Sequence, residues 1–239
     1  MSSSNRPIQS VERAMFLLEM LKEHPQGASL AELCEPLHLS KSTAHGLLRT
    51  LADMGYVSQQ GGLYISGLRA HTLAPQHHSP GTDLRQRFTP ALRAFNELCG
   101  ADCFLTVASG NRTYLTLAGL NRAGLPLVLP TDTQRDALRT SAAGKVLMAN
   151  DPALARQVRR LAPLDRSLEQ ELLQIAERGF ALDVQSALKD LNCMAIPLRH
   201  KGKVVGALGT SGAPNELDPA SMQLMAKRAL RELCTMVSC

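Results

Sequence analysis

Two short helices with well-marked caps lie close together, and a glycine-broken pair of short strands follows at once. Nothing else in the 239 residues constrains the fold as tightly. Ser29-Leu30-Ala31-Glu32 reads as a capping box, a hydroxyl followed three residues later by a carboxylate, which together satisfy two orphan amides of a first helical turn. It opens a short helix to about Leu37, and a tight turn at His38-Leu39 follows. Ser40 then caps a helix from Lys41 to about Met54, with Ala44, Leu47, Leu48 and Leu51 inward and Gly55 as its stop. Tyr56-Val57-Ser58 and Leu63-Tyr64-Ile65 read as strands around Gln59-Gln60-Gly61-Gly62. Upstream, Ser10 caps a first helix with Val11, Ala14, Met15, Leu18 and Leu21 at helical spacing, and His24-Pro25-Gln26-Gly27 ends it.

Two helices joined by a short turn, then a β-hairpin, describe a winged helix-turn-helix. Its third helix would be the recognition helix, presenting Ser40, Lys41, Ser42, Thr43, His45 and Arg49, with Gln59 and Gln60 in the wing. Arg and Lys pair with guanine edges or phosphates, and Ser and Thr bond to either. A first-turn amide also suits phosphate. The same residues equally fit a small helical dimerisation module in which Ser40–Thr43 is only a cap.

Pro75-Gln76-His77-His78-Ser79-Pro80-Gly81-Thr82 punctuates the pattern and is read as a linker between domains at 1–74 and 83–239. The second domain opens with a helix from about Asp83 to Leu98. Strands are expected at 103–108, 113–118, 126–130, 180–184, 193–199 and 203–210, and helices at 141–150, 152–161, 167–178 and 219–237. Strands dispersed among helices, with hairpins, give an α+β class with an antiparallel sheet under helical cover.

The net charge of +5 invites a nucleic-acid reading. Residues 1–75 carry six basic and six acidic side chains, so all of the excess lies beyond them. Six cysteines include no CxxC, and no histidine cluster has zinc-ligand spacing beside them, so reduced, buried thiols are expected and no metal. His77-His78 is read as solvated. There is no GxSxG, HExxH, complete GxxxxGK[ST] or GxGxxG, and a Cys193–His200 dyad would be divided between the two sides of a strand. No catalytic residue and no cofactor are expected. Aromatic residues at 3% argue against stacking on single strands. No apolar run is long enough to span a membrane, and no secretory signal is read at the N-terminus, so a cytoplasmic protein is expected.

Ser141, Ala142, Ala143 and Gly144 begin a helix with small side chains, where free amides favour an anion. Cys193 and Ser211 can converge on that space. Close packing of small residues and a core cysteine account for the same pattern.

Several ordered motifs give the chain a resemblance to the IclR family of bacterial transcriptional regulators, from about Ile8 to Val237. They are Gln9–Ala14, Leu39–His45, Leu51–Val57, Tyr64–Gly67, Thr140–Lys145, Glu177–Asp183, Cys193–Pro197 and Ala207–Gly212. The resemblance implies a winged-helix DNA-binding domain, a helical linker and a GAF-like effector domain. It implies homodimers or dimers of dimers on palindromic double-stranded DNA operators, and small organic acid effectors. It places effector contacts at Ser141, Ala142, Ala143, Gly144, Cys193 and Gly209–Ser211, and Asp183 is taken as a further candidate beside them. The chain departs from the family pattern at Gly46, where a basic residue is usual, and at His38, where glycine is usual. Gln185–Asp190 lacks the usual glutamates and glycine, and Gly209 replaces a frequent serine. A cryptic hydrolase, or an interaction module without DNA binding, are the alternative readings.

Overall fold

Ser29 and Glu32 close the reciprocal cap in the computed structural model. The Ser29 amide donates to Glu32 Oε2 at 2.7 Å, and the Glu32 amide donates to Ser29 Oγ at 3.3 Å. The structure describes residues 8–71, 73, 80–127 and 137–233. The chain divides into two compact units, residues 1–78 and 79–239.

The first unit begins with α1 (Gln9–Glu23). Its N-cap is Ile8, without a side-chain bond, so Ser10 lies inside the helix rather than capping it. The buried stripe is Leu17, Met20 and Leu21, while Val11 and Met15 stay exposed. Apolar residues cover a wide arc of α1, and packing against the rest of the unit selects which part is buried. Helix α2 (Leu30–Cys34) stops three residues short of the expected end, because turns run from Glu35 to His38. His38 has φ +48°, a left-handed conformation that favours glycine. Helix α3 (Lys41–Asp53) is capped by Ser40 and buries Ala44, Leu48 and Leu51. These join Leu17, Leu21, Leu33, Val57 and Tyr64 in one core. Strands β1 (Val57–Gln60) and β2 (Leu63–Ser66) pair up to Gln60↔Leu63. The connection is therefore Gly61-Gly62 alone, with both φ values positive, and Gln59 and Gln60 belong to the strand. A four-residue α4 (Leu68–His71) follows.

The second unit opens with α5 (Pro80–Cys99), which starts three residues earlier than expected. The last three residues of the predicted linker are thus helical, and its first five lie outside the described residues, as do His77-His78. Strands β3 (Asp102–Ser109) and β4 (Thr113–Leu120) form a hairpin. Helices α6 (Ala137–Thr140), α7 (Ala142–Asn150), α8 (Pro152–Leu161) and α9 (Arg166–Arg178) precede β5 (Ala181–Val184), β6 (Asn192–His200) and β7 (Lys203–Gly212). Helix α10 (Pro219–Glu232) comes last. The sequence pattern did not show α6. Of the strand expected at 126–130, Pro126 forms an isolated bridge to Leu120, and residues 128–130 lie outside the described residues.

The sheet is antiparallel, in the order β4-β3-β7-β6-β5. One face carries Leu105, Met194, Ile196 and Leu208 against Phe88, Leu92 and Phe95 of α5 and Met222 and Ala226 of α10. The other face carries Ala181, Ala195 and Ala207 beneath Val146, Leu147, Leu172 and Ile175. Alanines on that face let α7 approach the strands closely, so α7 lies over the central strands β6 and β7. The described residues hold no helix long and apolar enough to cross a membrane.

Candidate functional site

Lys41, His45 and Arg49 follow one another at four-residue spacing on α3, so they share one face. All three are exposed, as are Ser40 and Ser42, while Thr43 is half-buried. The opposite face, Ala44, Leu48 and Leu51, is core, which fixes the direction in which the polar face points. Ser40 Oγ accepts from the Thr43 amide at 3.3 Å and lies 3.1 Å from Ser42 Oγ and 2.9 Å from Thr43 Oγ1. Ser40 and Thr43 are therefore committed to capping the helix, and the cap and the polar surface coexist in one segment. Gly46 lies on the exposed side, and a β-carbon built there meets nothing within 4 Å. Gln59 and Gln60 are exposed on β1, beside the Gly61-Gly62 turn. The wing, residues 57–66, has no basic side chain.

In the second unit, strand register gathers the predicted residues. Asp183 stands opposite Cys193, Cys193 opposite Ser211, and Ser211 opposite Asp102. Opposite residues in an antiparallel sheet share a face, so the four form a row across β5, β6, β7 and β3. The next row on that face holds Ala181, Ala195, Gly209 and Phe104. Ala142 and Ala143 of α7 pack in the same cluster as Cys193. The start of α7, Cys193 and Ser211 thus belong to one side of the sheet. Asp102 was not anticipated, and register, which no local pattern displays, is the only signal that would have found it.

Several of these side chains have structural duties. Ser141 Oγ accepts from the Gly144 amide at 3.1 Å and donates to the Ala137 carbonyl at 2.8 Å. A β-carbon at Gly144 would collide with the Ala137 carbonyl oxygen and the Leu138 backbone, so glycine is required where α6 turns into α7. Lys145 is buried and pairs with Glu171 of α9 at 2.9 Å. Asp183, 1% exposed, accepts the Ser186 and Ala187 amides and shapes the loop that follows β5. The row holds two carboxylates and no cation.

Burial, then the Asp183 carboxylate, pushes the Cys193 thiol up to about 12. Cys193 is a neutral thiol at pH 7, a weak donor rather than a nucleophile. His200 lies the other way: its Nε2 is 3.0 Å from Arg87 of α5, and its ring meets Phe88 edge-on. Cys193 faces α7, so no dyad forms. Cys34, Cys99 and Cys103 are buried free thiols and Cys193 is half-buried, while Cys234 and Cys239 lie outside the described residues. Among the described residues, no three His, Cys, Asp or Glu side chains are grouped to hold a metal ion.

Residues 10–61 match the IclR helix-turn-helix domain, and residues 76–239 match the bacterial transcriptional regulator IclR C-terminal domain. The chain belongs to the IclR family. It is a DNA-binding transcriptional regulator rather than an enzyme. It is 27% identical over 230 residues to the HTH-type transcriptional regulator XynR of Escherichia coli, covering 90% of each chain. It is 30% identical over 235 residues to the glycerol operon regulatory protein of Streptomyces coelicolor, covering 89% of this chain and 87% of that one. In fold it is similar to an IclR homologue from Microbacterium hydrocarbonoxydans solved in complex with 4-hydroxybenzoate. The TM-score is 0.60 at 20% identity, over 95% of this chain and 98% of that one. DNA and a small molecule are the partners that these likenesses support for the regulator.

Proposed function

We propose that this regulator reads a two-fold operator through residues 1–74 and senses a small organic acid through residues 83–239, with residues 75–82 joining them. The observation that carries the DNA reading is the exposed Lys41, His45 and Arg49 face of α3, held outward by a buried opposite face. Two copies would set their α3 helices in successive major grooves, roughly 34 Å apart. Lys41, Ser42, His45 and Arg49 would meet bases and phosphates, and Gln59 and Gln60 the flanking backbone, with Ser40 and Thr43 holding the first turn.

The effector reading rests on the packing of Ala142, Ala143 and Cys193 in one cluster on the face that also carries Ser211. The acid's carboxylate would meet the first-turn amides of α7, where Ser141 and Gly144 shape the backbone. Its far end would meet Cys193 and Ser211. Asp183 spends its oxygens on loop amides and would act by positioning that loop. A solved relative holds 4-hydroxybenzoate, an organic acid, and a relative is named for a glycerol operon, which supports an acid effector and a catabolic operon. The protein would act in the cytoplasm as a dimer or a dimer of dimers.

Effector control requires the ligand to bind one arrangement of the pair of recognition helices better than the other. The test is release of operator DNA by a panel of organic acids, 4-hydroxybenzoate among them. The double variant Cys193→Ser/Ser211→Ala is expected to keep DNA binding and lose release by whichever acid acts on the parent. Undiminished release in the double variant would overturn the site.

A further inference from the structure

Strands β3 and β7 pair from Asp102↔Ser211 to Thr106↔Ala207 and no further, although β3 runs on to Ser109 and β7 begins at Lys203. Both sides of this seam carry a bulge near the same level. Leu117 is the extra residue of β4 opposite β3, and Val205 is the extra residue of β7 opposite β6. A bulge bends its strand, re-aims a side chain and ends regular pairing. Here the seam opens into a cavity of about 470 Å3, and both extra residues line it. Leu84 of α5 and Leu147 and Leu154 of the α7–α8 corner also contribute to its wall.

The cleft is open to solvent on one side, and its volume falls in the range of small-molecule sites, which begin at roughly 300 Å3. Its lining side chains are apolar except for those of Ser109 and Asp151, and backbone groups where the β3–β7 ladder ends add polar surface. Asp151 is the one charged residue among the lining residues described. Its Oδ1 accepts the Ala153 and Leu154 amides at 2.9 and 3.1 Å, which locks the carboxylate in place at the start of α8. A fixed carboxylate beside an apolar wall repels anions and accepts from a donor.

We propose that this cleft between β3 and β7 is a second ligand site, for an uncharged, largely apolar molecule carrying one hydrogen-bond donor. It is separate from the Cys193 site. Ser211 and Val204 are seven residues apart on β7, about 23 Å along a strand, while on α7 the two sites adjoin, Leu147 lying one turn beyond Ala143. Because the two sites share no side chain, this proposal stands or falls independently of the organic acid. Leu84 places α5 against the bound molecule, so occupancy would favour the arrangement in which α5 stays seated on the sheet.

The test is fluorescence titration of the full-length regulator with N-phenyl-1-naphthylamine, a neutral apolar dye with one N–H. Saturable binding of one dye per chain is expected. The sulfonated analogue 1-anilinonaphthalene-8-sulfonate should bind about tenfold more weakly or worse. Asp151→Asn keeps a good N-cap and should narrow that gap to roughly threefold or less. Ala108→Trp, at an exposed lining position, should weaken the neutral dye by about tenfold or more, with the circular dichroism spectrum unchanged. Leu115→Trp, at a second exposed lining position, should do the same and serves if Ala108→Trp does not fold. The Cys193→Ser/Ser211→Ala variant should bind the dye like the parent. Any one of the following overturns the proposal: no saturable binding, equal affinity for the sulfonate, indifference to a folded tryptophan variant, or loss of dye in the Cys193 variant.

Discussion

Gly46 faces open space on the exposed side of the recognition helix, so its smallness serves no packing. An interior helical glycine costs about 1 kcal/mol relative to alanine. Gly46→Ala is accordingly expected to stabilise the first unit by about 1 kcal/mol, read from the urea midpoint of the full chain. Gly46→Arg should also tighten operator binding by adding a phosphate contact, measured by titration at fixed salt. A drop in stability in Gly46→Ala would show that the glycine is needed for a shape that the structure does not have. Cys193 makes a pH prediction. Its thiol is raised to about 12 when folded, against an ordinary value of 9.0, first by burial and then by Asp183. Raised in the folded state, it leaves stability whole below pH 9 and drains it as pH climbs from 9 toward 12. Denaturant midpoints should fall over that window, and Cys193→Ser should shallow the fall. At pH 8, iodoacetamide should alkylate Cys193 more slowly than free cysteine.

At the scale of elements, the caps decide what is stable and what is legible. Ser40 caps α3 through the Thr43 amide, so Ser40→Ala should cost about 1 kcal/mol. Ser40→Asp should restore the cap while weakening DNA binding by placing an anion beside phosphate. Equal DNA affinity in Ser40→Asp and the parent would remove the start of α3 from the interface. The Ser29–Glu32 box and the Gly61-Gly62 turn could be read from residues alone, because each is a local backbone requirement met by its own side chains. Other features needed the three-dimensional neighbours. The buried stripe of α1 is chosen among competing apolar positions by packing alone. Helix α6 is a single turn, too short for any periodicity. The bulges at Leu117 and Val205 leave no mark in an apolar alternation. His38 was marked from the residues as a tight turn at a position where the family usually has glycine, and the structure shows that a histidine holds the left-handed φ there.

Over the whole molecule, charge sets how the regulator meets DNA. The first 75 residues are net neutral, and the exposed face of α3 offers Lys41 and Arg49 as its permanent cations. Two copies on an operator would neutralise about four phosphates, which predicts a log–log salt slope of about −4 or shallower. A markedly steeper slope would mean that cations other than Lys41 and Arg49 reach the duplex. The effector site was legible in its residue types and not in its assembly. Cys193, Ser211 and the small-residue helix start could be named in advance, yet only register shows that Asp183, Cys193, Ser211 and Asp102 form one row. The central claim is that α3 reads a specific site. The most direct test is selection of genomic fragments by the purified protein at about 0.15 M salt, with Arg49→Ala in parallel. Enrichment of one two-fold symmetric site, lost in Arg49→Ala, is the predicted result. No enrichment by the parent, or the same enrichment in both proteins, would contradict it.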